Sequence, residues 1–411
     1  MTKIKPVGPI PSGYQAIRGE LANAGRTASE LVAEAGGTPL FVYSRDLIDA
    51  RVSQLRAALP DRIGVNYAIK ANPHPDVLAH MAGLVDGFDI ASSGELAMTQ
   101  AAGIDPAQVS FAGPGKRDDE LEPAIAAGVT LNCESHGEAM RSLAIGQCLG
   151  KAPRIAIRVN PSFELKGSGM KMGGGAKPFG VDADRVPDLA KHIIAEGAEW
   201  RGLHIFTGSQ ALSADAIIEA QANVLKLADE LSHAIGEHLP KLNMGGGFGI
   251  PYFPGDEPLD LDTVGAALHE RVADLPETLA NTELCLELGR YLVGEAGVYL
   301  CRVIDRKDSH GTTYLVTDGG LHHQLAASGN FGTVVRRNYP VAIATKFDAE
   351  ADDVVNVVGC LCTPLDRLAD NANLPRADVG DLVAVFCAGA YGATASPENF
   401  LGHGPAKQLF A

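Results

Sequence analysis

The fold class this sequence predicts is α/β: a (β/α)8 barrel followed by a C-terminal all-β domain. Two patterns and one argument from composition predict it. Eight short apolar runs, Ile63–Lys70, Gly87–Ser92, Val109–Gly113, Val129–Ser135, Arg154–Asn160, Gly202–Gly208, Lys241–Gly247 and Leu284–Gly289, alternate with Ala/Leu-rich stretches of helical character. Strands alternating with helices build parallel sheets, and the span from Ile63 to Gly289 is close to the ~250 residues of a typical closed barrel of eight such units. An open, doubly wound sheet is the other arrangement this alternation permits. Beyond Arg290 the pattern changes: Val298–Arg306, Thr312–Asp318, Val341–Lys346, Val354–Cys362 and Leu382–Ala390 are strand-like and joined by loops rather than helices. A chain of 411 residues, 46% hydrophobic and 20% charged, has apolar mass for two cores and little room for long disorder.

In chain order, a Pro/Gly-rich start gives way to Ala16–Ala35, which reads as helical and stops at Gly36-Gly37; Thr38-Pro39 then introduces the strand-like Leu40–Tyr43. The expected division is a segment 1–37 packed with the β domain, a barrel over 38–290 and a β domain over 291–411. Lys166–Lys177 is too Gly-rich for a helix and follows the fifth barrel run, where binding loops belong; it is either a flap or a surface insertion. The net charge of −16 disfavours a nucleic-acid groove and points to a small-molecule or protein partner. Seven scattered cysteines, without histidines at zinc spacing, predict neither a disulfide framework nor a metal site. With no membrane-length apolar run and no signal-like N-terminus, the expected compartment is the cytoplasm.

Three features fall at strand ends, the face on which barrels carry chemistry. Lys70 closes the first run in Asn66-Tyr-Ala-Ile-Lys70; a lysine there is ordinarily a surface charge, but a desolvated one forms Schiff bases. Gly245-Gly246-Gly247-Phe-Gly249 ends the seventh run, and adjacent glycines let backbone N–H groups approach a phosphate; a plain tight turn is the alternative. Glu287-Leu-Gly289-Arg290 ends the eighth, as either an ion pair or a carboxylate with a phosphate-chelating guanidinium. Together, a Lys, a carboxylate, an Arg and phosphate-friendly glycines describe a pyridoxal phosphate site.

Six ordered motifs, Asn66-Tyr-Ala-Ile-Lys70-Ala-Asn72, Phe88-Asp89-Ile-Ala-Ser-Ser-Gly-Glu95, Gly-Gly-Gly-Phe-Gly, Glu287-Leu-Gly-Arg290, Cys362-Thr-Pro-Leu-Asp366 and Gly389-Ala-Tyr391, resemble those of the alanine-racemase-fold (type III) pyridoxal phosphate decarboxylases. That group includes diaminopimelate, ornithine and arginine decarboxylases, and the resemblance covers almost the whole chain. It implies an alanine racemase-like TIM barrel with a β domain, a carboxy-lyase activity and pyridoxal 5'-phosphate as cofactor. Carried over by position, it implies that Lys70 holds the cofactor aldehyde and Glu287 pairs with its ring nitrogen. Ser209, Gly245, Gly246, Gly247, Gly289, Arg290 and Tyr391 would surround the phosphate, and Asp89, Glu95 and Arg158 would support the Lys70 side. Cys362 is implied as the acid that returns a proton after carbon dioxide leaves, reaching in from the neighbouring subunit of a homodimer; a buried strand cysteine is its other reading.

The chain departs from the pattern in two places. Where the family stacks a histidine on the pyridine ring, this sequence has Phe206, and His204 is expected to point to the opposite face and serve structure. After Cys362, ornithine-type enzymes carry Asp and diaminopimelate-type enzymes Glu-Ser-Gly-Asp, whereas this chain carries Thr363-Pro-Leu-Asp366; Leu321–Ala327 also lacks the Arg-Pro of diaminopimelate enzymes. Burying a distal ammonium without its carboxylate is costly, so free ornithine or lysine fits only if Asp318 or Asp366 supplies that charge. The Cys-Thr-Pro-Leu-Asp segment is similar to a branch that includes exosortase-associated decarboxylases and enzymes acting on glutamate held by an acyl carrier protein. The expected function is decarboxylation of an amino acid, diaminopimelate decarboxylase-like with altered distal specificity. A racemase on the same fold, which places Arg rather than Glu at the ring nitrogen, and a silent homologue that binds a protein partner are the alternatives.

Overall fold

The computed structural model describes residues 4–167, 169–329 and 336–411. They form two compact units: a barrel unit of residues 52–250 and 258–289, and a sheet unit of residues 4–51, 251–257 and 290–411.

In the barrel unit the apolar runs are strands buried on both faces, as parallel barrel strands are. They are β1 Ile63–Ala68, β2 Gly87–Ile90, β3 Val109–Phe111, β4 Thr130–Cys133, β5 Arg154–Asn160, β6 Glu199–Ile205, β7 Lys241–Gly246 and β8 Glu283–Leu288. Every neighbouring pair is parallel, and β8 pairs with β1 from Leu284↔Ile63 to Leu288↔Tyr67. That last pairing closes the barrel and excludes the open sheet. Side-chain caps start the helices soon after the strands: Ser92, Ser135 and Ser213 each accept the backbone N–H of the third helical residue, satisfying a donor the helix leaves open. Among the described residues no helix is long and apolar enough to cross a membrane.

One glycine sets the strand that matters most for the site. The β6–β5 ladder shifts register between Trp200 and Gly202, and Gly202 has φ +99°, a conformation L side chains rarely adopt. A Cβ there would lie 1.9 Å from the Lys241 carbonyl oxygen of β7.

The sheet unit has a path of strands in the order Val341–Ile343, Leu382–Phe386, Gly297–Ser309, Thr312–Thr317, Asp353–Val358 and Arg367–Leu374. Leu40–Tyr43 pairs antiparallel with Gly297–Ser309 and parallel with Lys407–Phe410, so residues 38–51, which the sequence reading assigned to the barrel, lie in the sheet unit. Leu21, Leu31 and Val32 pack with Val42, Leu300 and Phe386 in its core. The expected helix over Ala16–Ala35 is confined to Ala28–Glu34; before it stand the short strands Gln15–Ile17, Glu20–Asn23 and Arg26–Thr27. Left-handed Arg18, Gly19, Ala24 and Gly25 turn the chain between them, and Thr27 with Glu30 forms the capping box at which the helix starts.

Gly202→Ala is expected to destabilise the barrel by more than ~3 kcal/mol, because backbone rather than a movable side chain blocks the new methyl. Gly128→Ala, also left-handed but with nothing within 4 Å of its added Cβ, should cost about 1 kcal/mol. Thermal melts of the two variants check this; equal losses would remove the steric argument.

Candidate active site

The C-terminal ends of the barrel strands surround a cavity of about 340 Å³ whose lining includes Lys70, Asp89, Arg158, His204, Phe206 and Glu287. Lys70 reaches it because β1 ends at Ala68 and passes into a 3-10 turn, Ile69–Ala71. Ile69 and Ala71 are buried, the Tyr67 hydroxyl donates to the Asn72 carbonyl at 2.8 Å, and the Lys70 side chain is 47% exposed. Its Nζ stands 3.7 Å from Glu287 Oε1 and 6.0 Å from the centre of the Phe206 ring.

Glu287 lies on β8, buried, with His204 Nε2 2.9 Å from its Oε2. This overturns the expected outward orientation of His204. Residues 204 and 206 are two apart, so on an extended chain their side chains share a face; both line the cavity, with ring centres 6.4 Å apart. The approach to Glu287 is close but off the hydrogen-bonding direction. Both His204 nitrogens and Glu287 Oε2 are buried without a hydrogen-bond partner.

The two cavity acids are pushed apart. Burial raises the Asp89 pKa, and repulsion from Glu287 adds to it. Burial alone would raise Glu287 too, but the His204 contact and the charges of Lys70 and Arg158 outweigh it and hold Glu287 below the usual carboxylate range. His204 is held neutral chiefly by burial. Asp89 accepts from Ser110 Oγ, which accepts from Asn132 Nδ2 at 3.1 Å, while Asp89 Oδ2 has no partner. Glu95 sits on the helix Ser93–Ala101, accepting the Ala91 N–H at 2.6 Å, and burial raises its pKa against the opposing charge of Lys70.

Arg158 on β5 is buried, paired with Glu134 at 2.8 Å and 5.2 Å from the Phe179 ring centre. Sequence reasoning missed Glu134, which also accepts the N–H groups of Gly113 and Gly180; the polar residue ending an apolar run was its only signal. It also missed Lys116, buried at the cavity wall, whose Nζ donates to Glu138, the Gly113 carbonyl and the Asn132 carbonyl. With three partners, Lys116 is a strut rather than an open cation.

At the ends of β6 and β7, Ser209 and the three glycines adjoin. Ser209 Oγ is buried and unpartnered. A Cβ on Gly246 would lie 2.2 Å from the Glu287 carbonyl oxygen and one on Gly247 2.4 Å from that of Gly208, so backbone occupies the space of the missing side chains. Gly289 lies against Ala68 and Ala71. The Lys166–Lys177 loop, of which Ser168 lies outside the described residues, is tied here. Met170–Lys171 pairs antiparallel with Gly208–Ser209, and Met172 lines the cavity.

The remaining predicted residues belong to the sheet unit. Arg290 donates to the Tyr252 hydroxyl at 2.9 Å and lies 4.9 Å from the Tyr391 ring centre. Cys362 is exposed on the loop between strands Asp353–Val358 and Arg367–Leu374, not buried in a strand. Thr363 follows it, its hydroxyl accepting the Leu365 N–H. Asp366 is buried and accepts the Leu321 and Leu361 N–H groups at 2.6 and 2.8 Å. Asp318 accepts from Arg302 N and Thr38 Oγ1.

Residues 45–294 match the family described as pyridoxal-dependent decarboxylase, pyridoxal binding domain. The chain belongs to the pyridoxal-dependent decarboxylases. It is 36% identical over 376 residues to the L-glutamyl-[BtrI acyl-carrier protein] decarboxylase of Niallia circulans, covering 89% of this chain and 87% of that relative. It is 33% identical over 377 residues to the diaminopimelate decarboxylase of Archaeoglobus fulgidus, covering 91% and 88%. The solved diaminopimelate decarboxylase of Helicobacter pylori, complexed with L-lysine, superposes with a TM-score of 0.79 at 28% identity, over 90% of this chain and 90% of that one. This decarboxylase is thus a carboxy-lyase that uses pyridoxal phosphate, and the cavity fits the cofactor. Glu287 Oε2 and Ser209 Oγ are buried polar atoms that lack partners, and natively such atoms are nearly always satisfied.

Asp89 should make stability depend on pH. Its folded pKa is raised to about 7, so the stability of the protonated carboxyl is full below about 4 and fades as pH rises through about 7. Asp89→Asn has no proton to lose. The melting temperature of the cofactor-free variant should gain steadily on the parent between about pH 4 and pH 8; a constant difference would mean Asp89 titrates normally.

Proposed function

We propose that this decarboxylase acts on an amino acid whose distal end is masked, with glutamate carried on an acyl carrier protein as the best candidate. The observation that carries this reading is the engagement of both acids available for a distal ammonium. Asp366 accepts two backbone N–H groups, and Asp318 accepts a backbone N–H and the Thr38 hydroxyl. Thr363 adds no charge after Cys362. A free ammonium buried there would have to compete with these donors for the carboxylates it needs. The relative from Niallia circulans, named for carrier-bound glutamate, supports the same substrate class.

Pyridoxal phosphate, when bound, supplies an aldehyde that takes up amines and a ring that accepts the electron pair left by a departing carboxylate. Lys70 would hold the aldehyde, Phe206 would cover a ring face, and Ser209 with Gly245, Gly246, Gly247 and Gly289 would receive the phosphate. Glu287 stays ionised beside Lys70 and Arg158 and offers Oε2 to hold a proton at the ring nitrogen, a charge-assisted hydrogen bond in a dry cavity. His204, buried and neutral, lies 2.9 Å from that same oxygen and backs the carboxylate against the barrel wall. Asp89, Glu95 and Arg158 set the field around Lys70. By the family resemblance, Cys362, exposed on its loop, would return the proton from a second copy in a homodimer.

A screen of carbon dioxide release from meso-diaminopimelate, ornithine, lysine, arginine and carrier-bound glutamate tests the substrate. Release from the carrier-bound substrate is expected, and turnover of meso-diaminopimelate alone would refute the masked-end reading. Racemisation without release would instead select the racemase. Glu287→Gln should lower turnover more than ~10-fold, about 1.4 kcal/mol of barrier; unchanged turnover with intact folding would remove that role.

A further inference from the structure

The sheet unit contains a group of side chains that the decarboxylation chemistry does not use. His322 follows strand Thr312–Thr317, Cys360 follows strand Asp353–Val358, and His403 precedes strand Lys407–Phe410. One donor atom from each lies within 4.8 Å of the other two. Cys360 Sγ is 3.9 Å from both ring nitrogens of His403, and the His322 and His403 ring centres are 5.1 Å apart. A tetrahedral ion with bonds of about 2.0–2.3 Å spaces its donors at about 3.3–3.8 Å, so a contraction of roughly 1 Å completes the site.

An independent observation points the same way. His322 is fully buried, and neither ring nitrogen has a hydrogen-bond partner. Its neighbour His323, 3.8 Å away between ring centres, shows the contrast. His323 Nε2 donates to the Gly404 carbonyl and Nδ1 accepts from the Tyr299 hydroxyl, both at 3.0 Å, so it is satisfied and holds the backbone beside His403. Asp366 clamps the other two segments by accepting the N–H groups of Leu321 and Leu361, the residues adjoining His322 and Cys360. Cys360 is half-buried and His403 exposed, which leaves an entry path and a fourth position for water.

We propose that His322, Cys360 and His403 bind a divalent ion of the zinc class. Two imidazoles and a thiolate are borderline-soft ligands, suited to Zn2+ or Co2+ and unsuited to Mg2+ or Ca2+. Binding expels the thiol proton and replaces the missing hydrogen bond of one His322 nitrogen. The ion ties three loops together two residues from Cys362, giving it a positioning role for the loop that carries that thiol.

The test uses the full-length holoenzyme equilibrated with Zn2+, desalted and assayed for metal by atomic spectroscopy, with Co2+ as a spectroscopic substitute. About one ion per chain is expected, together with a thiolate-to-cobalt charge-transfer band. Cys360→Ser should abolish that band and weaken binding at least ~10-fold, whereas Cys362→Ser should leave both intact. His322→Ala and His403→Ala should weaken binding likewise, and circular dichroism identifies any variant that misfolds, in which case Cys360→Ser decides. No retained metal, equal uptake by Cys360→Ser, or loss of the band in Cys362→Ser would each overturn the site. None of these readouts depends on the amino-acid substrate, so failure here is distinguishable from failure of the proposed function.

Discussion

The buried carboxylate of Glu287 is the constraint around which the barrel cavity is arranged. A carboxylate taken out of water normally gains a proton. Here His204 at 2.9 Å, Lys70 at 3.7 Å and the charge of Arg158 keep it ionised. The cost appears at Asp89, which burial and repulsion from Glu287 drive toward the protonated form. Two acids in one cavity thus take opposite states, and the pattern is diagnostic of a site with divided labour. Arg158 is itself held by Glu134, and Glu134 by the Gly113 and Gly180 amides, so the field at Glu287 extends into the loops after β3 and β5.

Barrel closure makes this arrangement possible. Lys70 and Glu287 stand at the ends of β1 and β8, far apart in sequence and adjacent in the sheet through the Glu287↔Asn66 pairing. Closure demands that β6, β7 and β8 approach tightly, and Gly202 against β7 and Gly246 against β8 permit it by presenting no side chain to the neighbouring carbonyls. Replacing either with a bulkier residue moves backbone, and backbone carries His204 and Glu287.

Much of this was legible in the sequence because barrel strands are buried on both faces and read as uninterrupted apolar runs; all eight overlap the expected stretches. Lys70 and Glu287 were legible toward the ends of their runs, and Asp89, Arg158 and Phe206 through the family resemblance; the structure gathers all five at one cavity. What was missed has physical reasons. Arg367–Leu374 is rich in Asp and Asn, which strands disfavour, and it is a strand because its neighbour Asp353–Val358 pairs with it. The N-terminal hairpin turns at Arg18 and Ala24, non-glycine residues in left-handed conformations that no propensity scale signals. His204 was misplaced by a phase error, since a two-residue step preserves the face of a strand. His322, Cys360 and His403 have no local spacing at all; only the sheet assembles them.

The sheet unit shows how one acid can serve two neighbours without touching substrate. Asp366 resembles a candidate for recognising a distal charge when read as a residue in a motif, yet its oxygens are engaged by Leu321 and Leu361. Both Gly320 and Gly359 leave room for that carboxylate, since a Cβ on either would lie within 2.3 Å of it. The same pair of hydrogen bonds draws together the segments bearing His322 and Cys360 and shapes the loop bearing Cys362 and Thr363. A carboxylate committed to backbone in this way fixes the loop on which the thiol sits.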